Sequence, residues 1–273
     1  MFVCNRFHFT LEHPLVMGIV NVTPDSFSDG GSFAAAERAI EHGLRLREDG
    51  ADILDVGGES TRPGATPIEV QLELDRVLPV LAGLLECGAA LSVDTMKPQV
   101  MAAVLMAGAD MINDVNALSA PGALEAVAAS DCGVCLMHMQ GSPRTMQVAP
   151  QYHNVVAEVL DYLRARIVVA EHAGIARERL VVDPGFGFGK TSAHNLSLFR
   201  HLGHFAELAP LLVGVSRKSL FGVLTQRPVQ ERLVGSVTAA MLAAMKGAAI
   251  LRVHDVAATV DALKVMHALA AEQ

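Results

Sequence analysis

Cysteine is scarce in this chain: Cys4, Cys87, Cys132 and Cys135 are too few and too scattered over 273 residues to frame a disulfide-built fold. Cys132-Gly-Val-Cys135 has redox spacing but runs into the apolar stretch Val134–Met137, so we read packing, with the thiols reduced and inert. Proline numbers only 12, and charged residues make up 18% against 51% hydrophobic, the reverse of the balance that disorder requires. Positive charge is not in excess. A formal net charge of -8 leaves no basic stripe to displace counterions from nucleic acid, which excludes that class of partner. No apolar run approaches the length of a membrane span. Met1–Leu11 carries Arg6 and His8, with Glu12 close behind, where a signal peptide would have an apolar core. We therefore expect a cytoplasmic protein with no membrane partner. No linker-like change of composition interrupts the chain either, so we expect a single domain over 1–273.

What the chain does have is alternation. Short apolar runs suggest strands at Val16–Asn21, Ile53–Gly57, Ala90–Asp94, Met111–Asn113, Val134–His138, Leu180–Asp183, Leu211–Ser216 and Ile250–His254. Segments of helical period separate and follow them, near 34–49, 67–86, 98–107, 121–130, 153–173, 193–206, 230–246 and 256–271. A weak internal repeat runs through Gly50-Ala-Asp-Ile-Leu-Asp55, Gly108-Ala-Asp-Met-Ile-Asn113 and Gly247-Ala-Ala-Ile-Leu-Arg252. Each copy ends a helix at Gly, enters a buried strand and places a polar side chain near that strand's C-terminal end. Strand then helix, eight times over, fits a (β/α)8 TIM barrel with a short N-terminal extension. The competing doubly wound sheet would follow its first strand with a Gly-rich phosphate loop. Here that strand runs instead into Val22-Thr-Pro-Asp-Ser-Phe-Ser-Asp-Gly-Gly31.

Chemistry in such a barrel gathers where the strands end. Asn21, Asp94, Asn113, Asp183, Ser216-Arg217-Lys218 and Arg252-Val253-His254 all lie at or just past predicted strand ends. A single Asp or Asn there is as readily a helix cap. Lys218 and Arg252, however, cannot cap, and charges at strand ends need partners or a ligand. Two carboxylates and an amide suit a ring edge rich in N–H donors, such as a 2-amino-4-oxo pyrimidine. Arg62, Arg217, Lys218, Arg252 and His254 concentrate positive charge in an acidic chain, which implies an anion. Other motifs carry less. Gly185-Phe-Gly-Phe-Gly-Lys-Thr191 ends like a nucleotide P-loop, but its leading Gly would fall at Pro184. His201-x-x-His204 lacks a third metal ligand nearby.

The stretches Met17-Gly-Ile-Val-Asn-Val-Thr-Pro-Asp-Ser-Phe-Ser-Asp-Gly-Gly31 and Asp55-Val-Gly-Gly-Glu-Ser-Thr-Arg-Pro-Gly64 resemble the two signatures of the dihydropteroate synthases, a pterin-binding family. Ser92–Thr95, Ile112–Val115, Leu136–Gly141, Asp183–Lys190, Ser216–Ser219 and Arg252–Asp255 continue the resemblance in order over nearly the whole chain. It implies condensation of 6-hydroxymethyl-7,8-dihydropterin pyrophosphate with 4-aminobenzoate, with loss of pyrophosphate. The implied pterin pocket is Asp94, Asn113, Asp183 and Lys218, walled by Met137 and Val115, with Arg252 over the ring. Asn21, Arg252 and His254 would hold the pyrophosphate, and Asn21 would also offer its amide oxygen to Mg2+. Thr61, Arg62, Pro63, Phe188, Ser219 and Phe27 would take the aminobenzoate, and Lys218, Arg252 and His254 would be the catalytic set. The resemblance also implies a homodimer. Met96, and Asn116-Ala117, depart from the family pattern without touching these positions. A methyltetrahydrofolate-dependent corrinoid methyltransferase and a non-catalytic pterin-binding relative are the rival readings; the Ser-Thr-Arg-Pro-Gly and Ser-Arg-Lys-Ser segments disfavour the first.

Overall fold

A computed structural model of the chain describes residues 1–22 and 32–270. Two short strands come first, β1 (Phe2–Cys4) and β2 (Phe7–Phe9), paired antiparallel. Eight parallel strands then close a barrel: β3 (Leu15–Asn21), β4 (Ile53–Gly57), β5 (Ala90–Asp94), β6 (Met111–Asp114), β7 (Gly133–Met137), β8 (Leu180–Asp183), β9 (Leu211–Val213) and β10 (Ala248–Val253), with β10 returning to β3. The helices are α1 (Ser32–Glu48), α2 (Val70–Leu84), α3 (Pro98–Met106), α4 (Ala123–Ala128), α5 (Val155–His172), α6 (Ser192–Arg200), α7 (Leu202–Ala206), α8 (Ser219–Thr225), α9 (Leu233–Met245) and α10 (Val256–Ala270). This is the (β/α)8 barrel expected from the alternation. Among the described residues, no helix is long and apolar enough to cross a membrane.

The strands are apolar on both faces because both faces are buried, and their alternation divides the core in two. Met17, Ile53, Ala90, Met111, Cys135, Val181, Leu212 and Ile250, one from each barrel strand, fill the interior. Their neighbours Val16, Leu54, Leu91, Ile112, Val134, Leu180, Leu211 and Leu251 face outward and pack with the helices. α5 shows how a helix joins that outer core. Val155, Val159, Leu163, Ile167 and Ala170 recur at three- and four-residue spacing and are buried. Each of the four larger side chains contributes roughly 1.5–3 kcal/mol of burial. Asn154 caps the helix by accepting from the Ala157 N–H at 3.1 Å, worth about 1 kcal/mol.

Four differences from the sequence-based elements stand out. The first eleven residues carry the β1–β2 hairpin, which packs with the barrel interior through buried Phe2 and Cys4. Arg6 and Asn5 both donate to Asp110 Oδ1, at 3.0 and 3.2 Å, and a Cβ on Gly133 would lie 2.6 Å from the Phe2 ring, so that position must stay bare. The strand expected over Leu211–Ser216 stops at Val213, and the chain turns at Arg217 with φ +55°. The helix expected over 193–206 breaks at His201 into α6 and α7, and α8, with no helical period in its seven residues, was absent from the sequence reading.

Candidate active site

The mouth is built where the internal repeat and the strand ends meet. Arg252, on β10, donates from Nε to Asp55 Oδ2 at 2.6 Å and from Nη2 to Asp94 Oδ2 at 2.9 Å. Asn113, on β6, donates from Nδ2 to the same Asp55 oxygen at 3.0 Å. Asp183 and Arg252 flank Gly214, whose missing side chain would stand 3.9 Å from Asp183 Oδ2 and 3.8 Å from Arg252 Cβ. Burial pushes the Asp94 carboxyl up to about 7 although Arg252 opposes it, and pushes Asp183 up as well. Two acceptors here, Asp94 Oδ1 and Asp55 Oδ1, are buried with no hydrogen-bond partner among the described residues. Buried unpaired acceptors are costly, so this mouth is suited to a ligand bringing N–H donors.

The loop after β8 holds a cation beside these acceptors, Lys218 from the segment between β9 and α8. Gly185 adopts φ +71°, and a Cβ there would fall 1.9 Å from the His138 carbonyl oxygen, so only glycine lets this loop pass the end of β7. Lys218 Nζ donates to the Phe186 carbonyl at 2.6 Å and lies 4.5 Å from the centre of the Phe188 ring. Burial pushes Lys218 down to about 8, with Asp183 pulling the other way. Lys190, buried beneath the loop, bonds His138 Nδ1 at 2.9 Å and donates to the Phe188 carbonyl at 2.9 Å and the His138 carbonyl at 3.2 Å. It clamps the β8 loop to the β7 loop.

On the far side, His254 Nδ1 is hydrogen-bonded to Ser216 Oγ at 3.0 Å. Burial first, then Arg252 and Arg217, push His254 down to about 3, so its imidazole is neutral near pH 7. Arg217, read from sequence as part of the cationic cluster, is instead bound fork to fork by Asp255, at 3.0 and 2.5 Å. Its charge is already matched.

The β4 loop is rooted by a buried ion cluster. Lys97 Nζ bonds Glu59 and, at 2.5 Å, Glu73; burial nonetheless pushes Glu73 up. Thr61, Arg62 and Pro63 follow directly, Thr61 half-buried and the other two exposed. The Gly64 N–H donates to the Pro143 carbonyl at 3.0 Å, which lays this loop against the one after β7.

The structure therefore brings Asp94, Asn113, Asp183, Lys218, Arg252 and His254 to one end of the barrel. Met137 and Val115, at the ends of β7 and β6, are buried there. Asn21 ends β3, its Oδ1 3.9 Å from where a Gly57 Cβ would stand. Ser219 opens α8 and is exposed. Phe27 lies outside the described residues. Sequence reasoning missed Asp55 as a site residue, and the signal was present: it occupies the polar place of the internal repeat, as Asn113 and Arg252 do. Cys135 packs inside the barrel and Cys132 in the outer core, and burial pushes both thiols up. Among the described residues no group of three His, Cys, Asp or Glu is placed to hold a metal ion.

A closed parallel barrel carrying acceptors and cations together at its C-terminal mouth is the class of fold and site found in pterin-binding barrel enzymes, and the family model described as "Pterin binding enzyme" matches residues 17–254. The dihydropteroate synthase of Escherichia coli (strain K12) is 53% identical over 260 residues, covering 94% of this chain and 92% of that protein. The Xanthomonas albilineans dihydropteroate synthase solved with 4-aminobenzoic acid superposes with a TM-score of 0.92 at 57% identity, covering 97% of this chain and 96% of that one. The same enzyme in complex with 7,8-dihydropteroate gives a TM-score of 0.86 at 51% identity, with the same coverage. The chain belongs to the dihydropteroate synthases, within the pterin-binding enzyme family.

Proposed function

We propose that this chain condenses 6-hydroxymethyl-7,8-dihydropterin pyrophosphate with 4-aminobenzoate, giving 7,8-dihydropteroate and pyrophosphate. The observation that carries the reading is the pair of orphaned carboxylate oxygens, on Asp94 and Asp55, beside Arg252, Lys218 and His254 at one barrel mouth. Asp94, Asn113 and Asp183 accept from the donor edge of the pterin, between Met137 and Val115. Lys218 donates to the ring and Arg252 covers it. Asn21, Arg252 and His254 receive the diphosphate. Thr61, Arg62, Pro63, Phe188 and Ser219 form the aminobenzoate site, with Phe27 as a further member.

C–O cleavage runs ahead of attack, so positive charge grows on the exocyclic methylene carbon and is delocalised into the electron-rich dihydropterin. The work left to the protein is to stabilise the departing diphosphate, which Arg252 does by charge and His254 by hydrogen bonding. The aromatic amine loses its proton readily after attack, so no strong base is required. An amide oxygen is the hard donor that Mg2+ accepts, and Asn21 at the mouth fits as its one protein ligand, the remainder coming from water and diphosphate. When bound, Mg2+ neutralises charge developing on the leaving group.

The chain works as one barrel domain in the cytoplasm, a setting supported by four cysteines that are all unpaired. It pairs as a homodimer through an apolar groove of about 790 Å³ between α6, α8 and α9, lined by Phe199, Leu220, Leu224, Val234 and Leu242. Val234 is 77% exposed there, and an apolar surface of this kind marks an interface.

The test is pyrophosphate release from the pterin pyrophosphate with and without 4-aminobenzoate and Mg2+. We expect release to depend on the amine. Release without it would indicate a hydrolase, and no release at all a non-catalytic pterin binder.

A further inference from the structure

The three polar places of the internal repeat are one device. Asp55, Asn113 and Arg252 come from β4, β6 and β10, alternate strands of the barrel, as side chains sharing a barrel layer do. They meet on a single atom: Asp55 Oδ2 accepts from Arg252 Nε at 2.6 Å and from Asn113 Nδ2 at 3.0 Å. Asp55 is fully buried, so no water-exposed alternative competes for that oxygen.

A carboxylate paired with a guanidinium only accepts, whereas a carboxamide has two nearly isosteric ends of opposite polarity. Asn113 must therefore turn its NH2 to Asp55 and its carbonyl oxygen away. We infer that Asp55 is a positioning residue that sets the hydrogen-bond polarity of the site, locking Asn113 with its oxygen free for a ligand N–H and holding the Arg252 guanidinium against Asp94. The inference rests on the reading that this mouth binds a pterin. It adds a specificity consequence: a ring with an amino group at the edge facing Asn113 is accepted, and one with a carbonyl there is refused. An unlocked amide would flip to suit either. Rejection by a fixed polar group is the stronger form of discrimination, because the wrong ring leaves a buried group unpaired.

Calorimetric binding of 6-hydroxymethylpterin and 6-hydroxymethyllumazine, which carries a carbonyl in place of the 2-amino group, tests this. The wild-type protein should prefer the pterin. Asp55→Leu, which removes the acceptor that Arg252 and Asn113 share, should lower that preference about tenfold, the size of one buried hydrogen bond mismatched. The charge-conserving double variant Asp55→Leu with Asn113→Asp presents the ring with a carboxylate, which only accepts and cannot flip, and should recover the preference. A folded Asp55→Leu protein with unchanged preference overturns the lock, as does a double variant that favours the lumazine. Independently of any variant, NMR of 15N-asparagine-labelled wild-type protein should show an Asn113 side-chain proton protected from solvent exchange; rapid exchange of both protons also overturns it. Wild-type protein that binds neither ring would instead sink the function proposed above.

Discussion

Lys218 is the residue on which the charge balance of the mouth turns. Its ammonium is held between the Phe186 carbonyl and the Phe188 ring while burial drives it down to about 8. The charged form is present below that pH and lost above it, so kcat/KM for the pterin pyrophosphate should fall as pH rises through about 8. Lys218→Arg keeps the charge and should remove this alkaline limb, at a lower plateau since a planar fork does not replace a point charge. Lys218→Ala should lose the limb and about 10²–10³ in kcat/KM. A pH–rate profile of the three proteins is the check, and wild-type activity in the alanine variant would remove Lys218 from the site. At this scale sequence identified the acceptors and cations but not which charges were already matched. Arg217 reads as a free cation until Asp255 is seen bonded to it.

At the scale of elements, the loop after β4 depends on its root. Glu59 is tied through Lys97 to Glu73, from three different segments of the chain. Lys97→Met would leave two buried carboxylates without their counter-ion, at a cost of about 3–5 kcal/mol. The sign with pH follows. A carboxyl held above its ordinary range by burial binds protons more tightly folded than unfolded, so the destabilisation should shrink as pH falls. Denaturant melts at pH 5 and pH 8 would measure it; equal losses at both would dismiss the cluster's charge as the cause. Because Glu59 leads into Thr61, Arg62 and Pro63, KM for 4-aminobenzoate should rise in this variant more than KM for the pterin. Six of the eight barrel strands were legible to within a residue at each end, since parallel strands buried on both faces write short apolar runs. The β1–β2 hairpin was not, because three-residue strands carry too little periodicity. Neither was α8, which begins directly after Lys218.

For the whole molecule, the apolar groove at α6, α8 and α9 is the surface where a second copy is proposed. Val234→Asp places a charge in its midst. We expect sedimentation to report a monomer for this variant and a dimer for the wild type. An unchanged dimer would move the interface elsewhere on the surface.

By itself the sequence determined the barrel, the order of its strands and the end at which its chemistry lies. Those follow from local patterns: apolar runs, glycine-terminated helices and polar residues placed at strand ends. Only the tertiary structure decided which polar groups meet. Asp55, Asn113 and Arg252 are separated by up to 197 positions yet share one oxygen, Arg217 is taken by Asp255, and Lys190 is spent on two loops. Pairing of that kind depends on the closure of the barrel, where distance in space is set by strand register and not by separation along the chain.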